Sequence, residues 1–238
     1  MSYVLVKVYC PHCETPKVKK NGVKGNGKQN FFCNDCHKQF QFTYKYQGAD
    51  PRIKRQIPKM AMRASGIRDI ATVLKISAVT VILALRIWFK THTEPQFEGI
   101  YENVILDEFW SWVGKRKQGK RWVWYAYCAD SGKILAFQIG KRNDATCKRL
   151  FKKLNHLTIN KYYTDDWKSY KKYIPAEKHI ISKKKTQKIE RQNLNFRTHI
   201  KRLCRRTLCF SKKDDMHFGF IKAYIWLKNQ AVLGAYIL

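Results

Sequence analysis

The sequence predicts a mixed α/β protein in which a sheet domain follows a small cysteine-rich module and a helical segment. Three changes of pattern along the 238 residues indicate this organisation. Residues 1–48 carry two Cys-x-x-Cys pairs around a Gly- and Asn-rich stretch, and residues 49–92 repeat apolar side chains at helical steps. Residues 100–238 begin with runs of β-branched and aromatic side chains that are typical of strands. We therefore expect three domains over these ranges.

The charge balance is strongly basic. The chain carries 48 Lys and Arg residues against 17 Asp and Glu residues, which gives a formal net charge of +31 at pH 7. Such a field concentrates polyanions and favours nucleic acid as the partner. An anionic membrane is the competing partner, but membrane binding usually places the cations on one amphipathic helix, whereas here they are spread along the chain. With no visible secretory signal and no apolar run of spanning length, the sequence predicts a soluble, cytoplasmic protein.

Four cysteines form two closely spaced pairs near the amino terminus, Cys10 with Cys13 and Cys33 with Cys36. Each pair can present two sulfurs to one ion, and four thiolates are typical of a tetrahedral structural zinc site. The turn-rich stretch between the pairs predicts a hairpin with too little apolar surface to fold without such an ion. A redox role is the alternative for one pair, but two pairs around one loop favour a zinc-ribbon module.

Residues 49–92 are predicted to form three helices. Asp50 before Pro51 indicates a helix start, Pro58 indicates either a bend or a later start, and Gly66 indicates the end. Two further helical runs complete a pattern that is typical of a helix-turn-helix. The third run is mainly apolar, so a plain three-helix packing unit or a dimerisation element is the alternative. The candidate DNA contacts in this segment are Arg68, Lys75, Thr80 and Arg86.

The carboxyl-terminal half predicts a mixed sheet. Three strand-like runs are separated by Gly119 and by the pair Ser131–Gly132, and a helix is predicted from Asp144 to about Leu157. A strand, a further strand and a basic helix follow. Three antiparallel strands with later strands and helices predict an α/β domain built on a mixed sheet.

Three acidic residues of this domain are candidate metal ligands. Asp107 falls in the first strand, Asp165 at the end of a later strand and Glu190 on the basic helix. A strand, a strand end and a helix can meet at one edge of a mixed sheet, and carboxylates are the ligands that Mg²⁺ prefers. Taken singly, each acid could equally be structural, and Glu108 or Asp166 could take the place of its neighbour.

Glu190 is unusual in its surroundings. It is the only acid among ten basic residues between Lys183 and Arg206, and none of the positions three or four away is basic. An ordinary helical ion pair is therefore absent, and a metal site facing a polyanionic substrate becomes the preferred interpretation. Basic residues on this stretch are candidate phosphate contacts, two of them near the helical line of Glu190. These candidates are Lys183, Lys184, Lys185, Arg197 and Lys201.

The chain resembles the transposases of the insertion sequence 1 family over nearly its full length. The matching strings are CPHC…CNDC, LDEFW, RWVWYAY, TDDW, ISKKKTQKIERQNLNFR and LCFSK, and the run Q-x-I-E-R-x-N-L-x-x-R is the most specific of them. The resemblance implies an Asp-Asp-Glu transposase with a ribonuclease-H-like core, in which Asp107, Asp165 and Glu190 hold Mg²⁺ or Mn²⁺. It also implies a zinc finger and a helix-turn-helix that recognise terminal inverted repeats.

The partners implied by this resemblance are double-stranded DNA at the element ends and at the target. Because a transposase must bridge two DNA ends, we expect a homodimer or a higher oligomer, associated with the nucleoid of a prokaryotic cell. One alternative is a non-enzymatic DNA-binding regulator. Another is a tyrosine recombinase with Tyr224 as nucleophile, activated by Arg197, His199 and Arg202.

Overall fold

The computed structural model describes residues 5–114, 119–182, 187–204 and 209–231. The chain divides into two compact units. One runs to Ala61 and includes Gly66–Leu85, and the other comprises Met62–Ser65 and the chain from Arg86 onward. The first unit thus holds the cysteine-rich module with most of the helical segment, and the second holds the sheet. The finer division into three domains stays a prediction.

A three-stranded antiparallel sheet carries the cysteine-rich module. Its strands, in the order β1-β2-β3, are β1 (Val18–Val23), β2 (Gln29–Cys33) and β3 (Gln39–Gln41). The hairpin between β1 and β2 turns at Gly27, whose positive φ of 74° favours glycine and whose N–H donates to the Lys24 carbonyl. Within the described residues, the buried apolar cluster of this sheet contains only Cys10, Cys33 and Phe40. So small a core leaves the module dependent on its cysteines.

Three helices follow, α1 (Pro51–Met62), α2 (Ile67–Val73) and α3 (Ala78–Lys90). Asp50 caps α1, because its Oδ1 accepts a hydrogen bond from the Arg52 N–H at 2.8 Å, and the helix runs through Pro58. The chain bends by 111° between α2 and α3. No helix in the described ranges is by itself long and apolar enough to cross a membrane, although α2 and α3 together meet that test of length and composition.

The second unit is built on a five-stranded mixed sheet, which confirms the predicted mixed α/β class. Its strands are β4 (Ile100–Trp112), β5 (Lys120–Cys128), β6 (Ile134–Gly140), β7 (Thr158–Thr164) and β8 (His179–Ile181). Their order is β6-β5-β4-β7-β8, with β4, β5 and β6 antiparallel and β7 and β8 parallel to β4. The central strand β4 therefore has an antiparallel neighbour on one side and a parallel one on the other.

Helices cover both faces of this sheet. They are α4 (Asp144–Leu154), α5 (Lys168–Lys171), α6 (Gln187–His199) and α7 (Asp214–Asn229). On one face, Leu106 packs in a cluster with Leu150 of α4. On the other face, the Phe109 ring lies 5.0 Å from Phe196 of α6, which contacts Tyr224 of α7 at 4.8 Å. Because side chains alternate along β4, the neighbours Asp107 and Glu108 point to opposite faces.

Helix ends and one whole helix differ from the sequence prediction. The helix α4 ends at Leu154 rather than near Leu157, and α6 ends at His199, after which Lys201–Leu203 form a 3-10 turn. Lys201 therefore does not continue the helical line from Glu190. The helix α7 is not predicted from the sequence, because it is buried on several sides and its nearly continuous apolar run shows no helical period.

Candidate functional site

Asp107 lies at the centre of the sheet and faces α6. Its Oδ2 accepts a hydrogen bond from Asn193 Nδ2 at 2.6 Å, and its Oδ1 accepts one from the Glu108 N–H at 2.7 Å. The buried Tyr125, which pairs with Asp107 across β4 and β5, donates its hydroxyl to Asn193 Oδ1 at 2.7 Å. With its oxygen engaged in this way, the amide of Asn193 turns its nitrogen toward Asp107. A buried network therefore fixes the orientation of this carboxylate.

Glu190 and Asp165 converge on Asp107 from two other elements. Glu190 lies three residues before Asn193 on α6, so both side chains share one face of that helix. Asp165 directly follows β7. The pairing of β7 with β4 runs as far as Tyr163 and Ile105, two residues before Asp165 and Asp107 respectively. Both acids are exposed, whereas Asp107 is half-buried. Parallel strand ends and the helix face thus bring the three acids to one side of the sheet.

The charges of these acids act on one another. Burial raises the pKa of Asp107 to about 6, the hydrogen bonds from Asn193 and the Glu108 N–H oppose this, and the negative charges of Asp165 and Glu190 raise it further. Such mutual repulsion is what a bound cation would relieve. In the described part of the chain, the four cysteines are the only group of at least three His, Cys, Asp or Glu side chains with ligand atoms all within 4.8 Å, so the three carboxylates are more widely spaced.

Glu108 belongs to the other face of the sheet. Its Oε1 accepts a hydrogen bond from Arg142 Nε at 2.8 Å, and its Oε2 accepts one from the Tyr170 hydroxyl at 2.6 Å. Burial raises the pKa of Glu108 to about 7, while Tyr170 and Arg142 oppose that shift. The guanidinium of Arg142 lies 4.7 Å from the Trp167 ring, and its Nη2 lies 4.0 Å from Asp165 Oδ2. Glu108 therefore anchors a cation beside Asp165.

Asp166 has a separate partner. Its Oδ1 lies 2.6 Å from Lys171 Nζ, and this hydrogen bond lowers the pKa of Asp166. The Oδ1 of Asp165 instead accepts a hydrogen bond from the Trp167 N–H at 3.2 Å. Glu108 and Asp166 are thus each held in a close ion pair, with Arg142 and Lys171 respectively, whereas Asp107 has no ion pair among the described residues and Asp165 lies only at the edge of one.

Sequence reasoning missed Asn193, Arg142 and Tyr170. The two-residue alternation along β4 could have separated Asp107 from Glu108, and the three-residue step from Glu190 could have selected Asn193. No sequence pattern links Arg142 to Asp165, because the loop after β6 and the end of β7 meet only through the sheet. The contacts of these three residues with the acids are found only in the folded chain.

The four cysteines form a compact cluster that could hold a metal ion. The Sγ atoms of Cys10 and Cys36 lie 3.6 Å apart, and those of Cys13 and Cys33 lie 3.5 Å apart. Two backbone N–H groups point at sulfurs, His12 to Cys10 at 3.4 Å and Cys36 to Cys33 at 3.5 Å. Each Cys-x-x-Cys pair therefore forms a tight turn with its sulfurs facing the other pair.

The candidate DNA contacts of the helical segment have different surroundings. Arg68 and Lys75 are exposed. Thr80 joins the cap of α3, because its N–H donates to Ser77 Oγ at 3.1 Å, and its Oγ1 lies 2.8 Å from the Tyr46 hydroxyl. Exposed positions on α3 are mostly apolar, as at Val79, Leu83 and Ile87. This face is a poor match for a helix that reads base edges.

Cations of the second unit are partly engaged in the fold. Arg86 forms an ion pair with Asp215 at 2.8 Å, and Arg197 Nη1 donates to the Leu203 carbonyl at 3.0 Å. Lys201 is exposed on the turn after α6. Three further candidates lie outside the described residues, namely Lys183, Lys184 and Lys185.

The surroundings of Tyr224 do not suit the nucleophile of a tyrosine recombinase. Tyr224 is fully buried, its hydroxyl lies 3.0 Å from His199 Nδ1, and burial raises its pKa. Arg202 packs over the Phe220 ring at 4.0 Å, and burial lowers its pKa to about 10. A tyrosine that attacks DNA has to reach a phosphate, and these groups are inside the fold.

Comparisons with known proteins identify the family. A family model described as IS1 transposase matches residues 103–230, which is more than half of the chain and includes all three acids. The chain is 44% identical over 120 residues to the insertion element iso-IS1n protein InsB of Shigella dysenteriae, covering 50% of this chain and 91% of that protein. It is 38% identical over 124 residues to the IS1 protein InsB of Shigella flexneri, covering 52% and 94% respectively. The chain belongs to the IS1 transposase family, as the resemblance predicts.

Proposed function

We propose that this chain is a DNA transposase that binds the ends of an insertion sequence and catalyses metal-dependent strand cleavage and strand transfer. The observation that supports the proposal is the placement of Asp107, Asp165 and Glu190, which come from three distant segments. The charges of Asp165 and Glu190 add to the burial that raises the pKa of Asp107. In the proposed reaction, water attacks a phosphodiester at the element end and releases a 3′ hydroxyl. That hydroxyl then attacks a phosphodiester of the target DNA.

The donor set fits hard divalent cations. All three side chains offer carboxylate oxygens, and Mg²⁺ or Mn²⁺ prefers such ligands over nitrogen or sulfur. When bound, these ions stabilise negative charge on the attacking and leaving oxygens of the phosphodiester. The chain itself holds Asp107 in one orientation through Asn193 and keeps the Arg142 guanidinium beside Asp165. Its +31 net charge attracts the DNA backbone to the chain.

The remaining modules complete the proposal. A zinc ion bound at about 2.3 Å by four sulfurs sets neighbouring sulfurs about 3.8 Å apart, close to the separations of 3.5 and 3.6 Å within the cysteine cluster. The cluster supports a zinc ribbon over residues 1–48, and the 111° bend supports a helix-turn-helix over residues 49–92. The sheet order supports a ribonuclease-H-like catalytic domain over residues 100–238.

The partners in this proposal are double-stranded DNA and a second copy of the chain. The zinc ribbon and the helix-turn-helix would bind terminal repeats, with Arg68 and Lys75 contacting phosphates. The exposed Lys201 of the catalytic domain would contact a further phosphate. Arg197 and Arg86 would contribute only by exchanging their present partners. A dimer or higher oligomer would hold the two element ends together.

A cleavage assay tests the catalytic proposal. The full chain is incubated with Mg²⁺ and an end-labelled duplex carrying the element end, and products are separated on a denaturing gel. Asp165→Asn and Glu190→Gln should each lower the cleavage rate by about a thousandfold or more, while DNA affinity stays within about twofold. The matched control is Asp166→Asn, which removes the neighbouring acid and should leave cleavage unchanged.

Three outcomes would overturn this assignment. Cleavage that persists in Asp165→Asn would exclude the carboxylate site. A wild-type chain that binds the duplex with Mg²⁺ present but never cleaves it would be a DNA-binding regulator. Cleavage that survives EDTA and leaves protein covalently attached to labelled DNA would instead support a tyrosine-type recombinase.

A further inference from the structure

A row of tryptophans and cations lies on one face of the hairpin formed by β4 and β5. Trp110 pairs with Trp122 across the two strands, and Trp112 pairs with Lys120. Directly opposed residues of an antiparallel pair share one face of the sheet, so all four side chains project to the same side. The pairing of β4 with β7 runs only as far as Ile105, so this part of the hairpin extends past β7.

The outer members of the row pack against each other rather than into the core. The rings of Trp110 and Trp112 are 5.5 Å apart and nearly perpendicular, and Lys120 Nζ lies 4.6 Å from the Trp110 ring. Both indoles are half-buried. Within the described residues, neither belongs to the buried cluster on that face, whereas Trp122 packs against it. Two large aromatic surfaces with a cation above them are therefore left partly open to solvent.

The inner end of the row reaches the proposed carboxylate site. The Arg142 guanidinium lies 5.0 Å from the Trp122 ring and 4.0 Å from Asp165 Oδ2. A step of two residues along a strand spans about 7 Å, so Trp110 and Trp112 stand about 7 and 14 Å beyond Glu108 along β4. The row lies on the face of β4 that carries Glu108, opposite Asp107, and it approaches the proposed site through Arg142 and Asp165.

Half-buried indoles interleaved with cations suit one class of ligand. Base faces stack on aromatic side chains while lysine and arginine hold the phosphates, and only unpaired bases have a free face to stack. An acidic peptide could satisfy the cations, but it would leave the indoles exposed. In a chain of net charge +31, a nucleic-acid strand meets both requirements.

We propose that Trp110, Trp112 and Lys120 form a binding surface for unpaired DNA bases on the sheet face of Glu108, where Arg142 connects the row to Asp165. This inference rests on the proposed function, because the strand it would hold is the one that leaves the duplex at the element end. The bases stack on the two indoles, and Lys120 holds the adjoining phosphate. Trp167 is not part of this surface, since its ring packs 4.8 Å from Trp124 and beside Arg142.

Binding of single-stranded and double-stranded DNA separates this surface from general phosphate contacts. The full chain is titrated with oligothymidylate of about 12 nucleotides and with a duplex of equal length, and anisotropy of a dye on the DNA is recorded. The double variant Trp110→Leu and Trp112→Leu should bind oligothymidylate about ten- to a hundredfold more weakly, and the duplex within about twofold of the wild type. Phe218→Leu, which removes an exposed aromatic ring on α7, is the control and should change neither.

Conservative variants guard against misfolding. Trp110→Phe with Trp112→Phe keeps two stacking faces and should retain most of the single-strand affinity. Unchanged oligothymidylate binding in the leucine variant, or an equal loss for both DNA forms, would overturn the proposal. Asp165→Asn keeps the surface and should still bind oligothymidylate, so failure of the stacking surface and failure of the catalytic assignment give different results.

Discussion

The two groups of candidate metal ligands are assembled by different means. The four cysteine sulfurs come from two short turns between residues 10 and 36 and lie within 4.8 Å of one another, over a buried cluster of three residues. The three carboxylates come from a strand, a strand end and a helix, and they are more widely spaced around a large packed sheet. Local turns therefore make the first group, whereas the topology of a whole sheet makes the second. We therefore expect the cysteine module to unfold when its ion is lost. We expect the carboxylate group to lose activity when the contacts that orient its side chains are removed.

The largest expected effect tests the dependence of the cysteine module on its ligands. Cys33→Ser removes one of four sulfurs from a sheet with almost no apolar core, so the module should lose roughly 5 kcal/mol or more of stability and unfold. Limited trypsin digestion and zinc content measured by mass spectrometry report this directly. The second unit, with its five-stranded sheet, should keep the midpoint temperature of its thermal unfolding.

The exposed Cys209 provides the matched control for this experiment. Cys209→Ser should keep about one zinc ion per chain and the trypsin resistance of the wild type. A Cys33→Ser chain that retains both would mean that apolar packing, rather than the cysteine cluster, holds the three-stranded sheet.

The second prediction addresses the geometry of the carboxylates. Asn193→Leu keeps the branched shape of the side chain but removes the donor to Asp107 and the acceptor of the Tyr125 hydroxyl. Because such supporting contacts orient ligands, cleavage should fall about 10- to 100-fold with little change in DNA affinity. Thr198→Ala, at an exposed position of the same helix, should leave the rate unchanged.

A double variant shows whether Tyr125 acts through Asn193. Tyr125→Phe alone should slow cleavage, but in the Asn193→Leu background it should add almost nothing, since the amide it orients is already gone. Additive losses would instead mean that Tyr125 supports the sheet in general and does not position Asp107.

This difference between the two groups also decides what could be predicted from the sequence. Cysteine spacing within a single hairpin is a local property, so the cluster of Cys10, Cys13, Cys33 and Cys36 was predictable. The mixed sheet and most strands followed from alternation and turn residues. Asp107 and Glu190 were singled out as candidates. The hydrogen bond from Asn193, which shares a helix face with Glu190, to Asp107 depends on how α6 crosses β4, and no sequence periodicity predicts that crossing. The helix α7 was missed because burial on several sides erases the amphipathic pattern.

The third prediction concerns the second unit, which contains the five-stranded sheet and is stabilised by buried side chains. His217 is fully buried with Nε2 3.0 Å from Ser111 Oγ, and its pKa is lowered to about 4, mainly by burial and further by Arg202 and Arg121, against the charge of Asp214. Between pH 6.5 and pH 4 the unfolded chain binds a proton that the folded chain does not. The contribution of His217 to stability is therefore full above pH 6.5 and falls as the pH drops, by about 2 kcal/mol between pH 7 and pH 5.

Urea denaturation at the two pH values measures this effect. His217→Gln should remove about 2 kcal/mol of the pH dependence, whatever its effect on stability at pH 7. His156→Gln, which alters a surface histidine whose Nε2 lies 3.0 Å from the Phe97 carbonyl, should leave the dependence as in the wild type. If the free energy of unfolding changed equally between pH 7 and pH 5 in both variants, groups other than His217 would cause the acid sensitivity.

The smallest expected effect compares one cation from each unit. Arg68 is exposed, whereas Arg86 is paired with Asp215 at 2.8 Å, so its charge is already balanced in the absence of DNA. If Arg68 holds a phosphate, Arg68→Ala should lower the slope of log affinity against log salt by about one, while Arg86→Ala should change it much less. Neither variant should alter the cleavage rate at saturating DNA. A larger change for Arg86→Ala would mean that its ion pair opens on binding, because a phosphate can release Asp215 only by competing for the same guanidinium.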